Sequence, residues 1–305
     1  MNEKETMNKA KLWAGLNKPT LNLEHVDVAV FGIPYDGSVS FRYGAKEGPD
    51  AVRAISHAIA PTTEYFEDLS QLKVKDLGDC DGGSREEIFH KVRKRVADLV
   101  AGDRRFTMIG GDHSTTIPVL QGIDDALEES FGIIHLDAHF DLCHEIDGDT
   151  FSHGATERRA LELKNIDGTD SLFFIGIRSI EMDELNFINK NPVQVVNAYE
   201  FNQIGVDETL RIVKKQMSKF NKIYLTVDID CLDPAYAAGT GTPQFGGMSS
   251  RQLLDLLKGL FDLPIIGFDV VEVAPSLDGA LTSVFAARKI ITECWGHWKR
   301  KGLLD

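Results

Sequence analysis

Phe131-Gly132-Ile133-Ile134-His135-Leu136 carries one histidine in an otherwise apolar run, and it leads directly into Asp137-Ala138-His139-Phe140-Asp141. A half-exposed strand alternates apolar and polar side chains. A run that does not alternate is buried on both faces, as in the centre of a parallel sheet covered by helices. Comparable runs recur at Val26–Ile33, Leu72–Leu77, Phe106–Ile109, Leu172–Ile177, Val193–Val196, Ile223–Val227 and Ile265–Val271. Between them, Arg85–Ala101, Val206–Phe220, Ser250–Leu260 and Ala280–Trp298 place apolar residues at helical spacing. Gly48-Pro49-Asp50, with proline in the first turn, and Ser249-Ser250-Arg251-Gln252, with a hydroxyl cap, read as helix starts. The alternation predicts one α/β domain over residues 1–305 with about eight strands. An open sheet is expected rather than a closed barrel, whose active-site loops would carry ligand-type residues more evenly.

Composition narrows the function classes. The 305 residues are 43% apolar and 26% charged, with a formal charge of −14. That balance disfavours a nucleic-acid backbone or an anionic membrane surface as partner and favours cationic ligands. The four cysteines, Cys80, Cys143, Cys231 and Cys294, are scattered and form no CxxC pair, which suits reduced thiols in the cytoplasm. Residues 1–20 read as a polar N-terminal extension without the apolar core of a signal peptide. There is no 18-residue apolar run to span a membrane.

In open α/β sheets ligands sit at the carboxyl ends of the strands. Four strand ends here carry unusual chemistry: Gly110-Gly111-Asp112-His113-Ser114, Asp137-Ala138-His139-Phe140-Asp141, Asp228-Ile229-Asp230-Cys231-Leu232-Asp233-Pro234 and Glu272-Val273-Ala274-Pro275. Positions i and i+2 of an extended segment point the same way, so Asp137 with His139, and Asp228 with Asp230, can face one crevice. With His113 and Asp141 they offer two imidazoles and four carboxylates, more than one metal needs and richer in oxygen than a typical zinc site. Oxygen-rich ligation suits Mn²⁺. Two divalent cations bridged by carboxylates would let four aspartates converge without prohibitive repulsion.

GGDHS, DAHFD, SHG, DIDCLDPAYAAGTGTP and DVVEVAP resemble the ureohydrolase superfamily of arginases and agmatinases, from about Ile33 to the C-terminus, with the last two stretches most similar to agmatinases. The resemblance implies a three-layer α/β/α fold around an eight-stranded, mostly parallel sheet. It also implies trimers or hexamers, a binuclear manganese site, and hydrolysis of a guanidino group to urea plus an amine. Carried over residue by residue, His113 and Asp141 would bind one metal, His139 and Asp230 the other, and Asp137 and Asp228 would bridge. Asp141 would also hold the attacking hydroxide, Glu272 would face the guanidinium, and His153 would protonate the leaving amine. Nickel is the alternative metal. A one-zinc deacetylase-like hydrolase and a noncatalytic partner of an active homologue are the competing classes. The intact ligand set disfavours both.

For the substrate tail, the loop from Leu142 to Ser152 is acidic through Glu145, Asp147 and Asp149 and has no Lys or Arg. A carboxylate tail would be repelled there and an amine tail attracted, so agmatine leads. Arg42 or Tyr43, in Phe41-Arg42-Tyr43-Gly44, could instead bind the acid tail of a guanidinobutyrate-type substrate, and a free or substituted guanidine would need neither. His144, three residues past the metal segment, is a candidate substrate contact. His135 reads as a satisfied core histidine.

Overall fold

The computed structural model describes residues 9–304. Its eight strands are β1 (Val28–Gly32), β2 (Val74–Asp79), β3 (Arg105–Ile109), β4 (Gly132–Leu136), β5 (Leu172–Ile175), β6 (Gln194–Val196), β7 (Ile223–Val227) and β8 (Ile265–Val270). They form one sheet in the order β2-β1-β3-β8-β7-β4-β5-β6, and every pairing is parallel. The sheet is open, and each strand lies within a few residues of its expected place.

The helices are α1 (Gly48–Ile55), α2 (Arg85–Ala101), α3 (Thr116–Ala126), α4 (Thr156–Ala160), α5 (Met182–Ile188), α6 (Ala198–Met217), α7 (Ser250–Leu260) and α8 (Thr282–Arg300). The capping pairs do what their sequences suggest. Ser84 Oγ accepts from Glu87 N at the start of α2, and Ser249 Oγ accepts from Gln252 N at the start of α7. The expected helix from Val206 follows a kink at Gly205, φ 77°, and a short helical stretch from Ala198, capped by Asn197, precedes it within α6. Alternate residues of one strand enter different cores. Val28 and Val30 pack with α1, α6, α7 and α8 on one face, whereas Ala29 and Phe31 pack with α2, α3 and α4 on the other. The result is the three-layer arrangement.

The polar reading of residues 1–20 needs correction over its described part, residues 9–20. Trp13 and Leu16 are buried, Trp13 Nε1 donates to Asp76 at 2.9 Å, and Lys18 N donates to Val74 O at 2.7 Å. The segment docks along β2, with Trp13 edge-on to Trp295 at 5.3 Å. Two apolar side chains suffice for this, and a composition average hides them. Residues 1–8 of the expected extension lie outside the described residues.

Candidate active site

The chain order of the strands folds back between β3 and β4, so β8 and β7 fill the middle and the four polar strand ends become neighbours. After β3, the turn at Gly111 passes so close to Tyr35 that a Cβ there would sit 1.7 Å from the Tyr35 carbonyl oxygen. Asp112 N donates to the same oxygen at 2.9 Å, and the Asp112 carboxylate caps Ser114 N, which aims His113 inward. After β7, Asp228 Oδ1 accepts from Asp230 N at 2.8 Å, and Arg178 Nη2 donates to Asp230 O at 2.6 Å, which together fix that turn. Asp141 and Glu272 both hold left-handed backbone conformations, φ 54° and 61°. Such conformations cost on the order of 1–3 kcal/mol each and persist where surrounding bonds enforce them. Here Asp141 O accepts from Glu157 N and Arg158 N, and Glu272 N donates to Gly111 O.

The six expected metal ligands converge. His113 Nδ1 lies 3.0 Å from Asp137 Oδ2, 3.0 Å from Asp141 Oδ2 and 3.4 Å from Asp228 Oδ2. His139 Nδ1 lies 3.3 Å from both Asp137 Oδ1 and Asp230 Oδ2. Ligand-type atoms of His113, His135, Asp137 and Asp141 form one group within 4.8 Å, and those of Asp137, His139 and Asp230 form another, with Asp137 common to both. His113 Nδ1, Asp137 Oδ2 and Asp230 Oδ2 are buried without hydrogen-bond partners. Burial, with Asp230 and Asp137 alongside, pushes Asp228 well above the usual carboxylate range. Burial opposes charging His113, but Asp141, Asp137 and Asp228 overcome it and draw a proton onto the ring. A proton drawn onto His113 and crowded carboxylates at one point fit divalent cations, which can replace the first and screen the second. The donor set therefore fits a two-metal centre.

Above it lies a cleft of about 150 Å³ lined by His113, His139, Asp141, Asp228, Glu272 and His153, with Ser40, Cys143, Ile146, Gly154, Ser179, Ile180, Glu181, Glu184, Thr242 and Gln244 forming its walls. Glu272 Oε1 accepts from His113 N at 2.9 Å and lies 2.9 Å from His153 Nδ1, while Oε2 is buried and unpartnered. His153 Nε2 accepts from Ser40 N at 3.0 Å and lies 2.9 Å from Ser40 Oγ. Burial pulls the His153 pKa down, but the Glu272 hydrogen bond and charge, aided by Asp141 and Asp112, lift it to about 9. Burial, with Glu184 and Asp141 nearby, pushes the Cys143 thiol up, in keeping with the absence of any sequence signal for a nucleophile.

The tail residues are placed differently from expectation. His144 is exposed, its backbone N–H donates to Asp183 Oδ2, and it does not line the cleft. Arg42 does not line it either. Its Nε donates to Gly241 O at 2.8 Å and its Nη2 to Thr240 O at 2.9 Å, so the guanidinium ties two loops together. The acidic side chains of the loop also turn away, while its Cys143 and Ile146 line the cleft. Glu145 and Asp147 are exposed, and Asp149 pairs with Arg85 at 2.5 Å. The acid on the cleft wall comes from Glu181 and Glu184, at the start of α5, a helix that the sequence reading did not identify. Glu184 accepts from Leu142 N and Glu181 N, and burial lifts its pKa to about 7. His135 is buried and bonded, as read, but its Nε2 lies 3.0 Å from Asp137 Oδ2 and its Nδ1 3.1 Å from Glu157 Oε1, so it braces a metal-ligand candidate. Its one sequence signal was a polar residue in an apolar strand.

The model of the Arginase family matches residues 26–296, from just before β1 into α8. An agmatinase of Chromobacterium violaceum is 38% identical over 274 residues, 88% of this chain and 83% of that protein. The proclavaminate amidinohydrolase of Streptomyces clavuligerus is 36% identical over 272 residues, 85% of this chain and 84% of that protein. Its solved structure has a TM-score of 0.83 at 33% identity, covering 93% of this chain and 94% of the other. The X-ray structure of a hypothetical agmatinase from Burkholderia thailandensis likewise gives 0.83 at 33% identity, over 93% and 90%. The matched stretch includes every strand end that contributes to the crowded carboxylate–imidazole centre, and with that coverage the chain belongs to the arginase family.

Proposed function

We propose that this protein hydrolyses a guanidino group to urea and an amine, and that its substrate has a cationic amine tail, agmatine giving putrescine being the best fit. Agmatinase is the name of one relative and proclavaminate amidinohydrolase that of another at nearly equal identity, so the cleft wall has to decide. The observation that carries the reading is the charge on that wall. Glu181 lines the cleft as a carboxylate, Glu184 beside it is held near 7 by burial and is partly charged, no Lys or Arg lines the cleft among the described residues, and Arg42 is engaged elsewhere. An amine tail gains there and a carboxylate tail loses.

His113 and Asp141 would hold one cation and His139 and Asp230 the other, with Asp137 and Asp228 shared between them. Four carboxylates to two imidazoles favour Mn²⁺, with Ni²⁺ the alternative. When bound, such a pair of cations makes hydroxide available near neutral pH. The chain's own groups do the rest. Glu272 offers its unpartnered Oε2 to the planar guanidinium fork, and its Oε1 stays fixed by His113 N and His153 Nδ1. His153 supplies the proton to the departing amine. In the neutral ring Nε2 accepts from Ser40 N, and Ser40 Oγ, which can donate or accept, is the group that would take the hydrogen of the protonated ring. We further read the chain as a cytoplasmic homo-oligomer, a trimer or hexamer. Four free, buried cysteines are in keeping with a reducing compartment, and the exposed aromatics Phe41, Tyr43 and Phe245 are in keeping with subunit contact. No helix among the described residues is long and apolar enough to cross a membrane.

The test is urea release from purified protein reconstituted separately with Mn²⁺ and Ni²⁺, on agmatine, arginine, 4-guanidinobutyrate, 3-guanidinopropionate and guanidine. Agmatine should dominate. Preference for an acid-tailed substrate would overturn the tail assignment, and no urea from any of them would overturn the hydrolase.

A further inference from the structure

Asp269, the last residue but one of β8, is a fully buried carboxylate that does not line the cleft. Its two oxygens receive four hydrogen bonds. Oδ1 accepts from Thr226 Oγ1 at 2.7 Å and Val227 N at 3.1 Å, and Oδ2 from Thr116 Oγ1 at 2.8 Å and Tyr224 OH at 2.8 Å. A buried carboxylate is costly unless its lone pairs are filled, and here the sheet and α3 fill them. Thr226 spends its only hydrogen on Asp269, so its oxygen can only accept from any further neighbour. That neighbour is His113 Nε2, 2.8 Å away.

This chain of donors runs one way. Nε2 must carry a hydrogen to satisfy Thr226, which leaves Nδ1 as the atom that faces Asp137, Asp141 and Asp228. The ring is also clamped flat against His135, with centroids 5.0 Å apart and planes 2° from parallel. The other imidazole of the centre has no such support. His139 is 22% exposed on its side chain, and no group among the described residues hydrogen-bonds its Nε2.

We propose that Asp269 and Thr226 are positioning residues for the metal centre: acting through one another, they fix the tautomer and plane of His113 so that Nδ1 is presented to a divalent cation. The proposal rests on the two-metal reading and concerns one of the two positions. Outer partners of this kind change metal affinity by about 10–100-fold.

Thr226→Val removes the hydroxyl at nearly constant volume, and Thr226→Ser keeps it. Equilibrium dialysis against Mn²⁺ should show wild type binding two ions per chain. Thr226→Val should bind one with unchanged affinity and the other about 10–100-fold more weakly, and Thr226→Ser should restore the pair. A merely structural role would lower the denaturation midpoint of Thr226→Val and leave both affinities unchanged, and that result overturns the proposal. Should Thr226→Val not fold, the wild type still decides. Long-range proton–nitrogen correlation of histidine-labelled protein loaded with diamagnetic Zn²⁺ should show the His113 hydrogen on Nε2, and a hydrogen on Nδ1 overturns it. Wild type that binds fewer than two ions is a distinct result, because it removes the two-metal reading itself.

Discussion

Replacing Arg42 separates two accounts of how the cleft chooses a substrate tail. Arg42 reaches across to the loop that supplies Thr242 and Gln244 to the cleft wall, donating Nε to Gly241 O at 2.8 Å and Nη2 to Thr240 O at 2.9 Å. Gly241 itself lies against Glu272, since a Cβ there would be 3.7 Å from Glu272 Oε2. A hydrogen bond from a charged donor is worth about 1.5–3 kcal/mol. Two of them, discounted because solvent reaches this half-buried guanidinium, leave about 1.5–3 kcal/mol for ordering the loop. In Arg42→Met the loop has to be ordered at substrate's expense, so kcat/KM should fall by about 10–100-fold. The fall should be the same for agmatine and for 4-guanidinobutyrate, because the guanidinium touches carbonyls and not the tail. Arg42→Lys, which keeps the charge but loses the fork, should resemble Arg42→Met more than wild type. The assay is steady-state urea release on both substrates with all three proteins. A loss confined to 4-guanidinobutyrate would place Arg42 against an acid tail and refute the reasoning, and unchanged kinetics on both would show that the latch orders nothing.

Three other expectations follow from single contacts. Asp228→Asn keeps the oxygen that caps Asp230 N but weakens the group facing His113; turnover should vanish and metal content, read by elemental analysis, should drop, whereas wild-type turnover would remove Asp228 from the centre. His153→Ala should slow the reaction by about 10²–10⁴-fold with metal content unchanged, since His153 contacts Glu272 and Ser40, and an undiminished rate would exclude it as the acid. His297, buried beside Phe261, is pulled down to about 4 by desolvation, helped by Arg300 and Lys258 against Glu67 and Glu64. It stays neutral in the folded protein while the unfolded chain takes up a proton near 6.5, so stability is lost as pH falls from 6.5 towards 4, on the order of 3 kcal/mol in all. Urea denaturation of His297→Leu across that window should show a shallower decline than wild type, and parallel curves would contradict the assignment.

Much of the fold was legible because it rests on one repeated local signal, the strand that is apolar on both faces. What stayed hidden lacks that signal. Helix α3 carries Pro118 and Gly122, and α4 and α5 span only Thr156–Ala160 and Met182–Ile188, too short to establish a period. The metal-ligand candidates were legible because parallel strands deliver their carboxyl ends to one edge whatever their order. The tail pocket was not, because charge along a sequence carries no direction. The turn Ile146–Asp149, with Asp147 and Gly148 at positive φ, keeps Ile146 at the cleft and leaves Glu145 and Asp147 exposed. Glu181 and Glu184 reach the cleft from a segment some forty residues downstream of Asp141.

The polar residues inside apolar strands hold the remaining information, and strand parity is what sorts them. His135, Thr226 and Asp269 interrupt β4, β7 and β8, and Thr107 interrupts β3. All four are fully buried, so burial alone does not distinguish them. Their neighbours do. Ile134 and Leu136, Leu225 and Val227, and Phe268 and Val270 belong to the core under α1, α6, α7 and α8, which puts His135, Thr226 and Asp269 on the opposite face, beneath α3 and α4. Thr107 has Phe106 and Met108 in the α2–α3 core and so points the other way, where it accepts from Trp295 Nε1 at 2.9 Å and takes no part in the site. The register then sets His135 beside Thr226, and pairs Leu225 with Phe268 so that Asp269 follows next to Thr226. These three polar positions share one face of adjacent strands: Thr226 bonds to Asp269 and supports His113, and His135 bonds to Glu157 and lies 3.0 Å from Asp137. A strand assignment that tracks parity, together with the strand order, therefore identifies the support of a site that residue types alone do not separate from ordinary core.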